Sequence, residues 1–144
     1  MTSRELYHPE SGIMTVAGLM SGSGSNLIKI IEHSRKIEEQ EGRSPYKVAV
    51  IFSDNLNSKA PEIGKKYSIP VIVRDIKDFY QRKGVSRKDL TVRSEFDEGI
   101  LSALKQFNID VAAYAGYMSI ASEVLIKAYL GINVHPADLT IMQD

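Results

Sequence analysis

Six consecutive residues, Ser21-Gly22-Ser23-Gly24-Ser25-Asn26, have the composition of an anion-binding turn. Glycines let the backbone turn at positive φ and come close to a ligand. A helix starting at such a turn aims unpaired N–H groups and a partial positive charge at it, which suits a phosphate. A P-loop would need a Gly-Lys-Ser/Thr ending, and no lysine is present. A dinucleotide fingerprint would need a third glycine where Leu27 stands. On these residues alone, a tight turn without a ligand remains the alternative.

A second set is Asn133-Val134-His135-Pro136. Residues two apart on a strand share a face, so Asn133 and His135 would stand about 6.6 Å apart along it. Pro136 would hold His135 extended and stop the strand. Asparagine can donate to a developing oxyanion, and histidine can give or take a proton near neutrality. Such a triplet leaves a catalytic and a structural role equally open. A third set, Ala115-Gly116-Tyr117-Met118, could line a flat apolar ligand but reads by itself as core packing plus a turn. His8 and His33 have no comparable surroundings and read as structural or solvent-facing.

The elements that must position these residues alternate. Apolar runs at 14–20, 46–52, 69–74, 110–114 and 131–134 read as strands. Helical spacing falls at about 26–37, 58–67, 89–107 and 121–129, with Ser25 as the N-cap of the first. The stretch 75–88 reads as polar and irregular. The expected fold class is α/β: a Rossmann-like parallel sheet of about five or more strands with helices on both faces. In such sheets ligands bind beyond the carboxyl ends of the strands. That directs attention to 21–26, 53–55, 115–120 and 135–140, with Ser21, Ser53, Ala115 and His135 expected at one edge.

Composition narrows the classes. The chain has 144 residues, 43% of them hydrophobic, with Lys+Arg 18 against Asp+Glu 18. One domain is expected, preceded by a polar extension over 1–13. Zero net charge argues against a surface built for nucleic acid. No cysteine is present, so there is no disulfide, thiolate metal site or thiol nucleophile. No apolar run reaches the length of a membrane span, and no signal-peptide pattern opens the chain. The cytoplasm is the default location.

Taken together, SGSGSNL at 21–27, AGYMSI at 115–120 and NVHP at 133–136 resemble the folate-dependent formyltransferase family. Within it they resemble the branch that formylates glycinamide ribonucleotide in purine biosynthesis. Phe52-Ser53 and Arg93 with Phe96-Asp97 add to the likeness, which runs from about residue 14 to residue 136. The resemblance implies that Gly22, Ser23, Gly24, Ser25 and Asn26 hold the phosphate of glycinamide ribonucleotide. It implies a folate and substrate pocket at Gly116, Met118, Ser119, Ile120, Ala121 and Pro136. Asn133 and His135 would be catalytic, stabilising the oxyanion formed when the substrate amine attacks the formyl carbon of 10-formyltetrahydrofolate. The implied partners are these two small molecules, with no metal, no nucleic acid and no membrane, and a homodimer as the candidate assembly.

The sequence departs from the family pattern in three places. Ser119 stands where the family usually has arginine, and Ala137-Asp138-Leu139-Thr140 stands where it usually reads Ser-Leu-Leu-Pro. The family's catalytic aspartate lies on a later loop that 144 residues do not reach. Residues 14–144 are therefore expected to be a formyltransferase N-terminal, nucleotide-binding domain without its C-terminal part, weakly active or inactive alone. A non-catalytic phosphate-binding module is the alternative. A nicotinamide-dependent oxidoreductase with Asp54 as ribose-binding acid fits less well. It lacks the third glycine, and 32 residues separate Gly22 from Asp54 where about 20 is usual.

Overall fold

The computed structural model describes residues 12–134. Most of the expected N-terminal extension, His8, the catalytic candidate His135, the pocket candidate Pro136 and residues 137–144 lie outside the described residues. The chain runs β1 (Met14–Met20), α1 (Ser25–Glu41), β2 (Tyr46–Ser53), α2 (Ala60–Tyr67), β3 (Val71–Val73) and α3 (Ile76–Lys83). It continues through a 3-10 turn (Leu90–Val92), α4 (Arg93–Leu104), a second 3-10 turn (Lys105–Phe107), β4 (Val111–Ala115), α5 (Glu123–Ala128) and β5 (Leu130–Val134).

The strands form one sheet in the order β3-β2-β1-β4-β5, and every pair is parallel. Alternate residues of each strand feed two cores, as a sheet covered on both faces requires. Ala17, Leu19, Val50, Phe52 and Ala112 pack with Ile76, Tyr80, Phe96, Ile100, Leu104 and Leu125 of α3, α4 and α5. On the other face Met20, Ile51 and Ala115 pack with Leu27, Ile31, Ala60, Ile63 and Tyr67 of α1 and α2. The chain leaves β1 toward β2 on one side and returns to β4 on the other. The topological switch point therefore lies between β1 and β4, and the loops that open there are the first and third candidate motifs.

Four local readings need correction. Ser25 is the first helical residue, not the cap: Gly24 takes that place at φ +73°, and no side chain caps α1. α1 runs on to Glu41, four residues past the expected end, until Gly42 at φ +83° closes it by donating to the Glu38 carbonyl. The stretch read as irregular at 75–88 contains α3. Asp75 caps it by accepting from the Asp78 amide at 2.8 Å, and its buried residues are Ile76 and Tyr80. The long helix expected over 89–107 is α4 flanked by two 3-10 turns.

α4 also anchors the loop that follows β4. Arg93, 5% exposed, donates through Nη1 to the Ile120 carbonyl at 2.7 Å and through Nε to Tyr80 Oη at 3.1 Å. Asp97, fully buried, accepts from the Ser122 amide at 2.7 Å. Burial pushes the Asp97 carboxyl above its ordinary 3.8, while the hydrogen bonds from Ser122 and the nearby Arg93 charge pull it partly back. A raised folded value means that this group's contribution to stability is complete below 3.8 and is lost as pH rises through the folded value. Asp97→Asn keeps an acceptor for Ser122 and removes the titration. Urea midpoints of the native chain should therefore fall relative to Asp97→Asn as pH rises above 3.8. A gap that does not change with pH would contradict the cost assigned to the buried charge.

Candidate functional site

Ser21 follows β1 and joins three strand ends. Its amide donates to the Gly116 carbonyl at 3.0 Å, after β4. Its carbonyl accepts from Asn55 Nδ2 at 2.8 Å, after β2. Its hydroxyl donates to Asp54 Oδ1 at 2.6 Å and accepts from the Met118 amide at 2.8 Å. Of the four residues expected at one edge of the sheet, the parallel registers place Ser21, Ser53 and Ala115 there, and His135 lies outside the described residues.

Above this junction opens a cleft of about 450 Å³. Residues 21–26 line one side, so all five glycine-loop candidates, Gly22, Ser23, Gly24, Ser25 and Asn26, face it. Gly116 and Met118 contribute from the β4 side, and Asp54, Asn55 and Asn57 from the end of β2. Asp75, Ile76, Lys77 and Arg87 complete the wall. Gly24 must be a glycine here for two reasons. Its φ is +73°, and a Cβ would stand 2.4 Å from Ile63 Cδ1 and 2.9 Å from Met20 Cε. The uncapped start of α1 therefore opens into the cleft with its amides free of side-chain acceptors, apart from a 3.4 Å approach of Ser23 Oγ to the Ser25 amide. An anion can complete those donors.

The start of α3 reaches the same cleft in a different state. The Asp75 carboxylate accepts from the amides of Asp78 and Leu56, both at 2.8 Å. Partial burial raises the Asp75 pKa, but these amides, that of Lys77 and the Arg87 charge outweigh it and hold the carboxyl below its ordinary 3.8. One helix end is thus filled by the protein's own anion and the other is left open.

The third motif divides between two places. Met118, 82% exposed, stands between the cleft and a second groove of about 500 Å³ that Ser119 and Ile120 also line. Arg87, Lys88, Leu90 and Arg93 form its other side. Ala121 turns inward and packs against the core. Tyr117 is likewise turned inward. Its hydroxyl is buried without a hydrogen-bond partner, and burial first, then the Asp54 and Asp97 charges, drives its pKa far up. Asn133 is exposed at the end of β5, paired in register with Tyr114 and two strands from Leu19, about 10 Å across the sheet. It lines neither the cleft nor the groove. His33 is exposed, with Nδ1 2.7 Å from Tyr46 Oη, and has no part in the site.

Several lining residues were not found from sequence. Lys77 and Arg87 come from the stretch read as irregular, and only the hidden helix α3 brings Lys77 inward. Asp54 does not stand free as a ribose-binding acid would. Both its oxygens are instead engaged by protein hydroxyls, Ser21 Oγ and Ser119 Oγ, in a residue 3% exposed.

Comparison with known proteins agrees with this arrangement. Part of the trifunctional purine biosynthetic protein adenosine-3 of Homo sapiens is 29% identical over 124 residues, which is 85% of this chain and 11% of that protein. Phosphoribosylglycinamide formyltransferase of Bacillus subtilis is 29% identical over 119 residues, 81% of this chain and 53% of that protein. The crystal structure of glycinamide ribonucleotide transformylase 1 from Geobacillus kaustophilus matches with a TM-score of 0.67 at 29% identity. That match covers 85% of this chain and 58% of that one. The chain thus spans about half the length of the Bacillus and Geobacillus relatives. The formyl transferase family model matches residues 14–140, and with the sheet order and the open glycine loop at its switch point, the chain belongs to the formyl transferase family.

Proposed function

We propose that this chain is the nucleotide-binding part of an enzyme that carries a formyl group from 10-formyltetrahydrofolate to the amine of glycinamide ribonucleotide. The observation that carries this reading is the uncapped N-terminus of α1, which opens into the switch-point cleft. A ribonucleotide phosphate fits there, accepting from the amides of Gly24, Ser25 and Asn26, with Lys77 and Arg87 adding positive charge from the same wall. The names of the relatives support glycinamide ribonucleotide as the nucleotide. In this reading residues 14–144 are one nucleotide-binding domain.

The donor substrate carries flat rings and carboxylates. The second groove fits that chemistry: Leu90, Met118 and Ile120 are exposed apolar side chains, and Arg87 and Lys88 are cations. When bound, the folate supplies an activated formyl carbon. Attack by the nucleotide's amine puts negative charge on the formyl oxygen. Asn133 and a protonated His135 are the donors proposed for that charge, and such a donor is worth about 10²–10³ in rate. The amine gives up a proton as its new C–N bond forms, and the folate nitrogen regains one as its own C–N bond breaks. In a longer chain that contains the family's later aspartate, nucleotide binding without any transfer would favour the non-catalytic module.

Two substitutions test the nucleotide side. Gly24→Val puts a branched side chain where φ is +73° and space is already filled. The strain is of order 1–3 kcal/mol, and glycinamide ribonucleotide should bind at least about tenfold more weakly by calorimetry while circular dichroism is unchanged. Unaltered affinity would remove the loop from the site. Arg87→Ala should weaken binding about three- to tenfold at low ionic strength and flatten its dependence on salt. An affinity that falls as steeply with salt as in the native chain would take Arg87 out of the proposal.

A further inference from the structure

Among the described residues, Asp54 is the one carboxylate of the cleft that touches both sides of it. Oδ1 accepts from Ser21 Oγ at 2.6 Å, at the root of the glycine loop. Oδ2 accepts from Ser119 Oγ, on the loop after β4. Ser21 Oγ also accepts from the Met118 amide, so carboxylate, hydroxyl and amide form a closed chain from residue 119 back to residue 118. Asp54 is 3% exposed, so water competes little for its oxygens. Hydrogen bonds from hydroxyls to a carboxylate are about twice as strong as neutral ones, and low local polarity strengthens them further.

Ser119 gains its shelter from this contact. Its neighbours Met118 and Ile120 are 82% and 61% exposed, whereas Ser119 is half-buried. Farther along, the same loop is held by Arg93 at Ile120 and by Asp97 at Ser122, both from α4. Those two contacts fix the loop to the core. Its first part is fixed at the root of the glycine loop by the Ser21 amide on the Gly116 carbonyl and the Met118 amide on Ser21 Oγ, and the Asp54 contact adds the Ser119 side chain to that attachment. Ser119 lines the groove and not the cleft. A change in one compartment therefore has a short route of hydrogen bonds to the other.

We infer that Asp54 is a positioning residue that couples the two compartments, so that the Ser119 hydroxyl helps set the affinity of the glycine loop for an anion it does not touch. This rests on the proposed reading of the loop as an anion site. It assigns to Ser119, which departs from the family's usual arginine, a definite task with Asp54 as its partner.

The test follows amide resonances of the 144-residue chain during titration with inorganic phosphate. In the native chain Ser25 and Asn26 should shift, and Met118 and Ser119 should follow with the same affinity. In Ser119→Ala phosphate should bind about three- to tenfold more weakly, the range one hydrogen bond of ordinary net worth gives, and Met118 should no longer follow. Ser119→Thr keeps the hydroxyl and should restore both, which a merely structural role for residue 119 would not require. Native affinity in Ser119→Ala, with Met118 still following, would overturn the coupling. Absence of any shift at Ser25 and Asn26 in the native chain would instead sink the anion reading. Ligand-free exchange then decides the coupling. The Ser21 amide should exchange about tenfold faster in Ser119→Ala, and an unchanged rate would overturn it.

Discussion

Ser21 spends every polar atom it has on holding the ends of three strands together. Four hydrogen bonds converge on it: its amide to Gly116, its carbonyl from Asn55, and its hydroxyl to Asp54 and from the Met118 amide. Each has a net worth of about 0.5–1.5 kcal/mol, more where the carboxylate takes part. Their larger consequence is geometric. At a switch point the loops after β1 and β4 part company, because the chain crosses to opposite sides of β1. The parting makes the cleft, and the Ser21 junction is its floor. Without that floor the glycine loop and the loop at 116–122 would be two independent excursions.

The electrostatics of the cleft follow from which groups are already satisfied. Asp54 is taken up by two hydroxyls and Asp75 by two amides, so neither carboxylate is available to a ligand cation. The groups left open are donors and cations: the start of α1, Lys77 and Arg87. A cleft that has engaged its own carboxylates in internal hydrogen bonds and kept other donors open is suited to a phosphate. That is why the unfilled end of α1, beside the filled end of α3, bears more weight for the proposed function than the glycine content of the loop.

Much of this was legible in the residues, and the gaps have physical causes. The central strands were found because they are buried on both faces and read as unbroken apolar runs, as in Val48 to Phe52. α3 is hard to read because it is two turns long and shows the core only Ile76, Phe79 and Tyr80, too few residues for a period to stand out. Its signal was present in Asp75 followed three residues later by Asp78, a cap ahead of two apolar residues four apart. Ser25 was read as a cap because serine usually is one. Here Gly24 adopts a left-handed conformation that closes the turn first, and the helix start stays open. No spacing rule could have joined Asp54 to Ser21 and Ser119, which lie 33 and 65 residues away along the chain. That contact exists only because parallel strands bring their ends to one edge.

In the proposed function the start of α1 receives the phosphate of glycinamide ribonucleotide and directs the rest of the molecule across the Ser21 junction toward the end of β5. A crystal structure of the chain with that nucleotide tests it most directly. Phosphate oxygens should lie within hydrogen-bond distance of the amides of Gly24, Ser25 and Asn26, with the ribose over Gly116 and the amine pointing toward Asn133. A phosphate seated instead in the cleft at the opposite end of the sheet, against Arg35 and Lys47, would contradict it.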